Sequence, residues 1–152
     1  DVYKRQGLYG VLRPLDLIQP YRLEMGSKVE TSRGRTLYEF WGNDITEALN
    51  ADLPDSPGPN IVVNCASQEY FSSIDLEALD AKVVTPTFLD AKDGGPYRMV
   101  SFFAKRARGA MAAWLIKNRV KSRRAINDFD AMDYAYDPDR STDDQPVFLR
   151  RY

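Results

Sequence analysis

Lys82-Val-Val-Thr-Pro-Thr-Phe-Leu89, Asp90-Ala-Lys-Asp-Gly-Gly95 and Tyr97-Arg-Met-Val-Ser-Phe-Phe103, running into Ala104-Lys-Arg-Ala-Arg-Gly-Ala-Met111, decide the fold class of this chain. The first and third stretches are short, apolar and rich in β-branched and aromatic residues, as strands are. The polar Gly-Gly segment between them is a hairpin signal. From Ala104 to about Asn118 the period changes to that of a helix. Ala107, Ala110, Met111, Trp114, Leu115 and Asn118 fall on one side, while Lys105, Arg108 and Ala112 share another. A hairpin feeding an amphipathic helix argues for a mixed α+β domain with a largely antiparallel sheet and packed helices, not a doubly wound one.

Working outward, Thr36 is placed to cap a helix whose Leu37, Trp41, Ile45 and Leu49 recur every fourth residue, with Phe40 and Ala48 widening the stripe. Pro54 to Pro59 ends it in a loop. Asn60-Ile-Val-Val-Asn-Cys65 reads as a short buried strand, and Ser67 then opens a polar-aromatic turn. Tyr21-Arg-Leu-Glu-Met-Gly26 alternates as a strand would, after Pro14 and Pro20 have kept the preceding stretch extended. Residues 123–129 suggest a short helix, and residues 134–136 and 147–150 a terminal hairpin.

The chain has 152 residues, 43% hydrophobic and 12% aromatic, enough for a real core and too apolar for disorder. No apolar run approaches the roughly 20 residues that cross a bilayer. There is no histidine and one cysteine, Cys65. That removes Ser-His-Asp and Cys-His catalysis and every histidine-containing metal site from this part of the chain. Only an all-oxygen site for a hard cation remains open, and no metal, cofactor or catalytic residue is assigned. A lone cysteine suits a reducing cytosol, and in an apolar strand it is a poor peroxide sensor.

Charge is segregated although the net is −1. Residues 43–81 hold eight acids and no Lys or Arg. Residues 97–127 hold nine bases and no acid, and residues 128–144 hold seven Asp against Arg140. Local fields of this kind, more than net charge, steer a polyanion.

Three clusters carry candidate chemistry. Gly7-Leu-Tyr-Gly10 is a glycine-bounded turn; at a helix start such a turn presents backbone N–H groups to a phosphate, and otherwise it is a plain tight turn. Arg13 and Arg22 add charge nearby, with Glu24 a possible partner for Arg22. Asn64-Cys-Ala-Ser-Gln-Glu-Tyr-Phe71 ends a strand in small polar residues and a carboxylate, so Asn64, Ser67, Glu69 and Tyr70 can line a pocket with Ser101. The plainer reading has Ser67 capping, Glu69 solvated and Tyr70 packed. Third, Lys105, Arg106 and Arg108 stand near the expected start of a helix, where cations oppose the macrodipole unless an anion offsets them.

Residues 1–6, Asp-Val-Tyr-Lys-Arg-Gln, follow neither period. One coding of them, GATGTGTATAAGAGACAG, is the end sequence that a tagmentation transposase inserts during library preparation. They are read as a non-native leader, with the protein's own sequence, residues 7–152, beginning at Gly7 in mid-fold.

From Gly7 onward the chain resembles the bacterial peroxide-stress protein YaaA family. The resemblance rests on residues 7–26, on Phe40-Trp-Gly42, on Asn64 to Phe71 and on Ser101-Phe-Phe-Ala-Lys-Arg-Ala-Arg-Gly109, in order. It implies a cytoplasmic protein protecting against hydrogen peroxide, with an α+β fold, a positively charged cleft and a helix-hairpin-helix-like element that binds double-stranded DNA. On this resemblance the Gly7–Gly10 turn marks the hairpin, and Lys105, Arg106 and Arg108 match the family's basic motif and line the cleft; Tyr9, Arg13 and Arg22 are counted beside them as nucleic-acid-binding residues. The family's N-terminal Pro-Ala-Lys-Thr motif has no counterpart, so the chain is read as the C-terminal portion of a single domain.

The leading expectation is therefore a monomeric, non-enzymatic DNA-binding protein that contacts duplex backbone and no membrane. An alternative is an enzyme acting on a phosphorylated or nucleotide-like molecule around Glu69 and Lys105. A third reading is an interaction module in which the acidic segment simply neutralises the basic one.

Overall fold

The computed structural model describes residues 4–56 and 58–152, with the backbone alone for 4–6. Of the hexapeptide read as a leader, residues 1–3 lie outside the described residues; Lys4–Gln6 form strand β1, antiparallel to β2 (Gly10–Leu12) with Gln6 opposite Gly10. The chain divides into two compact units, one comprising Asp1–Ser56 and Ala66–Ala81, the other Pro57–Cys65 and Lys82–Tyr152.

In the first unit Thr36 starts α1 (Leu37–Trp41) through a reciprocal capping box. Its hydroxyl accepts the Glu39 N–H at 3.2 Å, and the Glu39 carboxylate accepts the Thr36 N–H at 3.1 Å. The four-residue stripe does not continue as one helix. Gly42 turns the chain at φ 48° and caps α1, and α2 (Asp44–Asp52) restarts beyond it. Ile45 and Leu49 still point inward and form the core with Met25, Leu37, Ile74 and Leu79. Buried Thr46 accepts the Asp75 N–H at 3.0 Å, and Asn50 ties down Ala78 and Asp80. The short α3 (Gln68–Phe71) follows the expected turn at Ser67. Residues 21–26, expected as a strand, have no regular structure over 21–24 and turn at 25–26, because among the described strands none pairs with them.

The second unit carries the mixed sheet. Strand β3 (Ile61–Val63) pairs in parallel with β4 (Lys82–Val84). A three-stranded sheet runs in the order β5 (Thr87–Ala91), β7 (Val147–Arg151), β6 (Ala135–Asp137). The β6–β7 pair is the expected terminal antiparallel hairpin, whereas β5–β7 is parallel. Among the described strands two pairings of four are thus parallel, more than a largely antiparallel sheet implies. The class is mixed α+β.

The expected 82–89/97–103 hairpin shrinks to one bridge, Asp90 opposite Arg98. Residues from Ser101 belong instead to α4 (Ser101–Lys117), which starts about one turn earlier than the periodicity alone gives. Packing decides this. Ala104, Ala107 and Met111 form a buried stripe only in helical register, against a core of Phe88, Ile126, Phe129, Tyr134 and Phe148. The rings of Phe129, Tyr134 and Phe148 surround Phe88 at 5.1–5.8 Å between centroids. Residues 124–128 form a 3-10 turn, close to the helix expected over 123–129.

Candidate nucleic-acid interface

The glycines of the Gly7–Gly10 turn answer a packing demand in the first unit. A Cβ on Gly7 would stand 2.6 Å from the Leu23 carbonyl oxygen, and one on Gly10 would stand 2.9 Å from the Trp41 ring. Gly10 has φ 67°, a value that favours glycine. The Gly7 carbonyl accepts the Trp41 indole N–H at 3.0 Å. The turn joins two strands, so the helix-start geometry that would aim its amides at a phosphate is not what surrounds it. Tyr9 is half-buried, stacks edge-on against Tyr21 at 5.4 Å and accepts the Gln19 N–H at 3.2 Å. Arg13 is engaged twice by the Asp52 carboxylate, at 3.1 and 3.2 Å. Arg22 is exposed, in the wall of a shallow groove of about 270 Å³ that also involves Tyr21, Glu24 and Tyr70.

The pocket residues divide between the units. In the first, Glu69 Oε1 accepts the Gly26 N–H at 2.8 Å, and the Glu69 carbonyl accepts the Tyr38 hydroxyl at 2.7 Å. Tyr70 donates to Glu24 at 2.8 Å, which settles the partner of Glu24 on Tyr70 and not Arg22. Burial and then that hydrogen bond push the Tyr70 phenol up to about 12. Ser67 precedes α3 without a side-chain cap. These contacts fasten the 24–26 stretch; they give Glu69 a structural occupation. In the second unit Asn64 is buried, its N–H donating to the Val84 carbonyl at 2.8 Å and its amide reaching Thr85 at 3.4 Å. Ser101 opens α4 and is exposed. Among the described residues no group of carboxylates and thiols is placed to hold a metal ion, and no helix is long and apolar enough to cross a membrane.

The basic stretch lies wholly in the second unit. Because α4 begins at Ser101, Lys105, Arg106 and Arg108 occupy its second and third turns. The macrodipole conflict expected for them is therefore weaker, since the effect fades beyond the first turn. Another property of the helix start takes its place. Val100 cannot cap with a side chain, and the first turn contains no acid. The orphan N–H groups and the positive dipole end are thus left uncompensated by side chains. Lys105 and Arg106 are exposed, and among the described residues neither enters an ion pair; Arg106 lies over the exposed Phe102 ring at 5.9 Å. Arg108 is half-buried. Arg98, Lys117, Arg119, Lys121 and Arg124 are exposed as well, whereas Arg123 turns to the Thr142 and Asp143 carbonyls.

Sequence reasoning missed one polar cluster of this unit. Asp90, which looked like a hairpin residue, is buried and accepts hydrogen bonds from Tyr134 and Arg150. A carboxylate closing an alternating strand is the only signal for it in the sequence.

Comparison with known proteins fits this arrangement of motifs. The UPF0246 protein of Roseobacter denitrificans is 55% identical over 147 residues, covering 96% of this chain and 56% of the relative. That of Ruegeria pomeroyi is 53% identical over 146 residues, again 96% and 56%. A Burkholderia mallei UPF0246 protein is 55% identical over 146 residues, 95% and 56%. The chain thus spans about half the length of the curated relatives it matches. The family model described as "Peroxide stress protein YaaA" matches residues 5–140, and the chain belongs to that family.

Proposed function

We propose that this chain is part of a cytoplasmic DNA-binding protein that acts when cells meet hydrogen peroxide, and that α4 supplies its grip on the duplex backbone. The family assignment supports the stress role. The observation that carries the DNA reading is the state of Lys105 and Arg106: exposed, without a carboxylate partner among the described residues, and one turn beyond an uncapped helix start. Phosphates satisfy both the cations and the orphan amides. Contacts of this type position a protein on DNA without reading bases, so little sequence preference is expected.

A gel-shift titration with random-sequence duplex tests the proposal. The chain shifts the duplex, Lys105→Ala with Arg106→Ala weakens binding for every sequence alike, and Glu69→Ala leaves it unchanged. Equal binding by the double alanine variant contradicts the proposal. Loss of cellular peroxide protection in Glu69→Ala with duplex binding intact turns the reading toward the enzyme.

A further inference from the structure

The first unit exposes apolar side chains within one short stretch of sequence. Leu15 is 92% exposed, Leu17 100% and Ile18 44%. Such a run would collapse or wander if the chain around it were loose, but here it is built. Arg13 is anchored to Asp52, and Asp16 closes a turn by accepting the Arg13 N–H at 2.7 Å and donating its own N–H to the Arg13 carbonyl at 3.1 Å. Tyr9 accepts the Gln19 N–H at 3.2 Å. Pro14 and Pro20 remove backbone freedom at either end. These bonds and prolines restrict the turn that carries the leucines, which lowers the ordering cost of a contact. Large apolar side chains left exposed close together in sequence, on a turn held by these hydrogen bonds, mark a candidate docking site.

We infer that Leu15, Leu17 and Ile18 seat the portion that the longer relatives possess beyond the matched region. That portion is a little under half of each relative's length. In one polypeptide it is present at equal stoichiometry and high effective concentration. Three side chains on a turn fall well short of the roughly 800 Å² per partner that a standard interface buries, which disfavours a second copy as sole occupant. The charges nearest in sequence, Asp16 and an Arg13 already committed to Asp52, offer little to an anionic lipid surface. This inference does not depend on the DNA reading.

Co-expression tests it. The 152-residue chain is produced with the unmatched portion of the Roseobacter denitrificans relative under a separate tag. The two parts are expected to co-purify at 1:1, with slowed hydrogen exchange at residues 15–19. The Leu15→Asp, Leu17→Asp variant should bind about tenfold more weakly or not at all. Because both leucines are exposed, that variant keeps the melting temperature of the isolated chain, which separates lost docking from misfolding. No co-purification, or co-purification with unchanged exchange and an equally competent variant, overturns the inference. So does self-association of the chain, or its binding to anionic vesicles, through the same leucines.

Discussion

Asp90 and Arg150 face each other across the parallel β5–β7 pair, with the Arg150 Nε donating to Asp90 Oδ1 at 2.7 Å. Nη2 lies 2.7 Å from the same oxygen without the alignment of a hydrogen bond. The Asp90 side chain is wholly buried, and Tyr134 donates to both of its oxygens at 2.9–3.0 Å. The guanidinium is flanked by Phe103 at 4.6 Å and Tyr134 at 4.7 Å. Removing one member of such a pair strands a buried charge, at about 3–5 kcal/mol. Arg150→Met should cost that much in urea unfolding followed by Trp114 fluorescence. Adding Asp90→Leu should recover most of it, because the uncompensated carboxylate is gone.

The same cluster sets an alkaline limit. Burial first, and then the hydrogen bond to Asp90, raise the Tyr134 phenol above its ordinary value of 10, and Tyr70 is raised for parallel reasons. A folded-state pKa above the unfolded one means stability that is complete below pH 10 and lost as pH rises through the folded value. The urea midpoint should therefore fall on going above pH 10, with a shallower fall in Tyr134→Phe. On the acid side Arg33 lowers Asp44 and Arg140 lowers Asp137. Their contribution is present above pH 3.8 and lost as pH falls below it.

Gly10 cannot take a side chain without moving Trp41. With φ 67° and a 2.9 Å approach to the ring, Gly10→Ala should destabilise the first unit by about 1–3 kcal/mol. Trp41 fluorescence in a Trp114→Phe background reads the loss. A change below 0.5 kcal/mol would mean the turn has another reason for its glycine.

Glu69→Ala should cost about 1 kcal/mol, by leaving the Gly26 N–H without its acceptor. The expected signature is faster proteolysis around residues 24–26. An unchanged digestion pattern would return Glu69 to the pool of available acids.

The sequence made certain elements legible because their signals are local. The Thr36 cap, the Ala107–Met111 stripe and the 134–136/147–150 pairing each need only a short window, and the Glu39 half of the capping box came to light only in the fold. Other features depended on distant partners. Tyr97–Phe103 has strand composition, yet the core around Phe88 demands Ala104 and Ala107 in helical register and draws Ser101 to Phe103 into α4. The parallel β5–β7 pairing joins residues about 60 apart, which no turn signal announces. Gly42 looked like an ordinary residue within a four-residue period, but its positive φ divides the helix. At the candidate interface the basic residues were legible and their freedom was not. Arg13 and Arg123 are committed to carboxylates and carbonyls, which only folding reveals.

The salt dependence of duplex binding, compared between the chain and Lys105→Ala with Arg106→Ala, tests the central claim most directly. Each phosphate contact contributes a slope of about −0.9 in log K against log salt, so the double variant should lose nearly two units of slope. Binding that is insensitive to salt, or a slope identical in the two proteins, would contradict the assignment of α4 as the phosphate-contacting element.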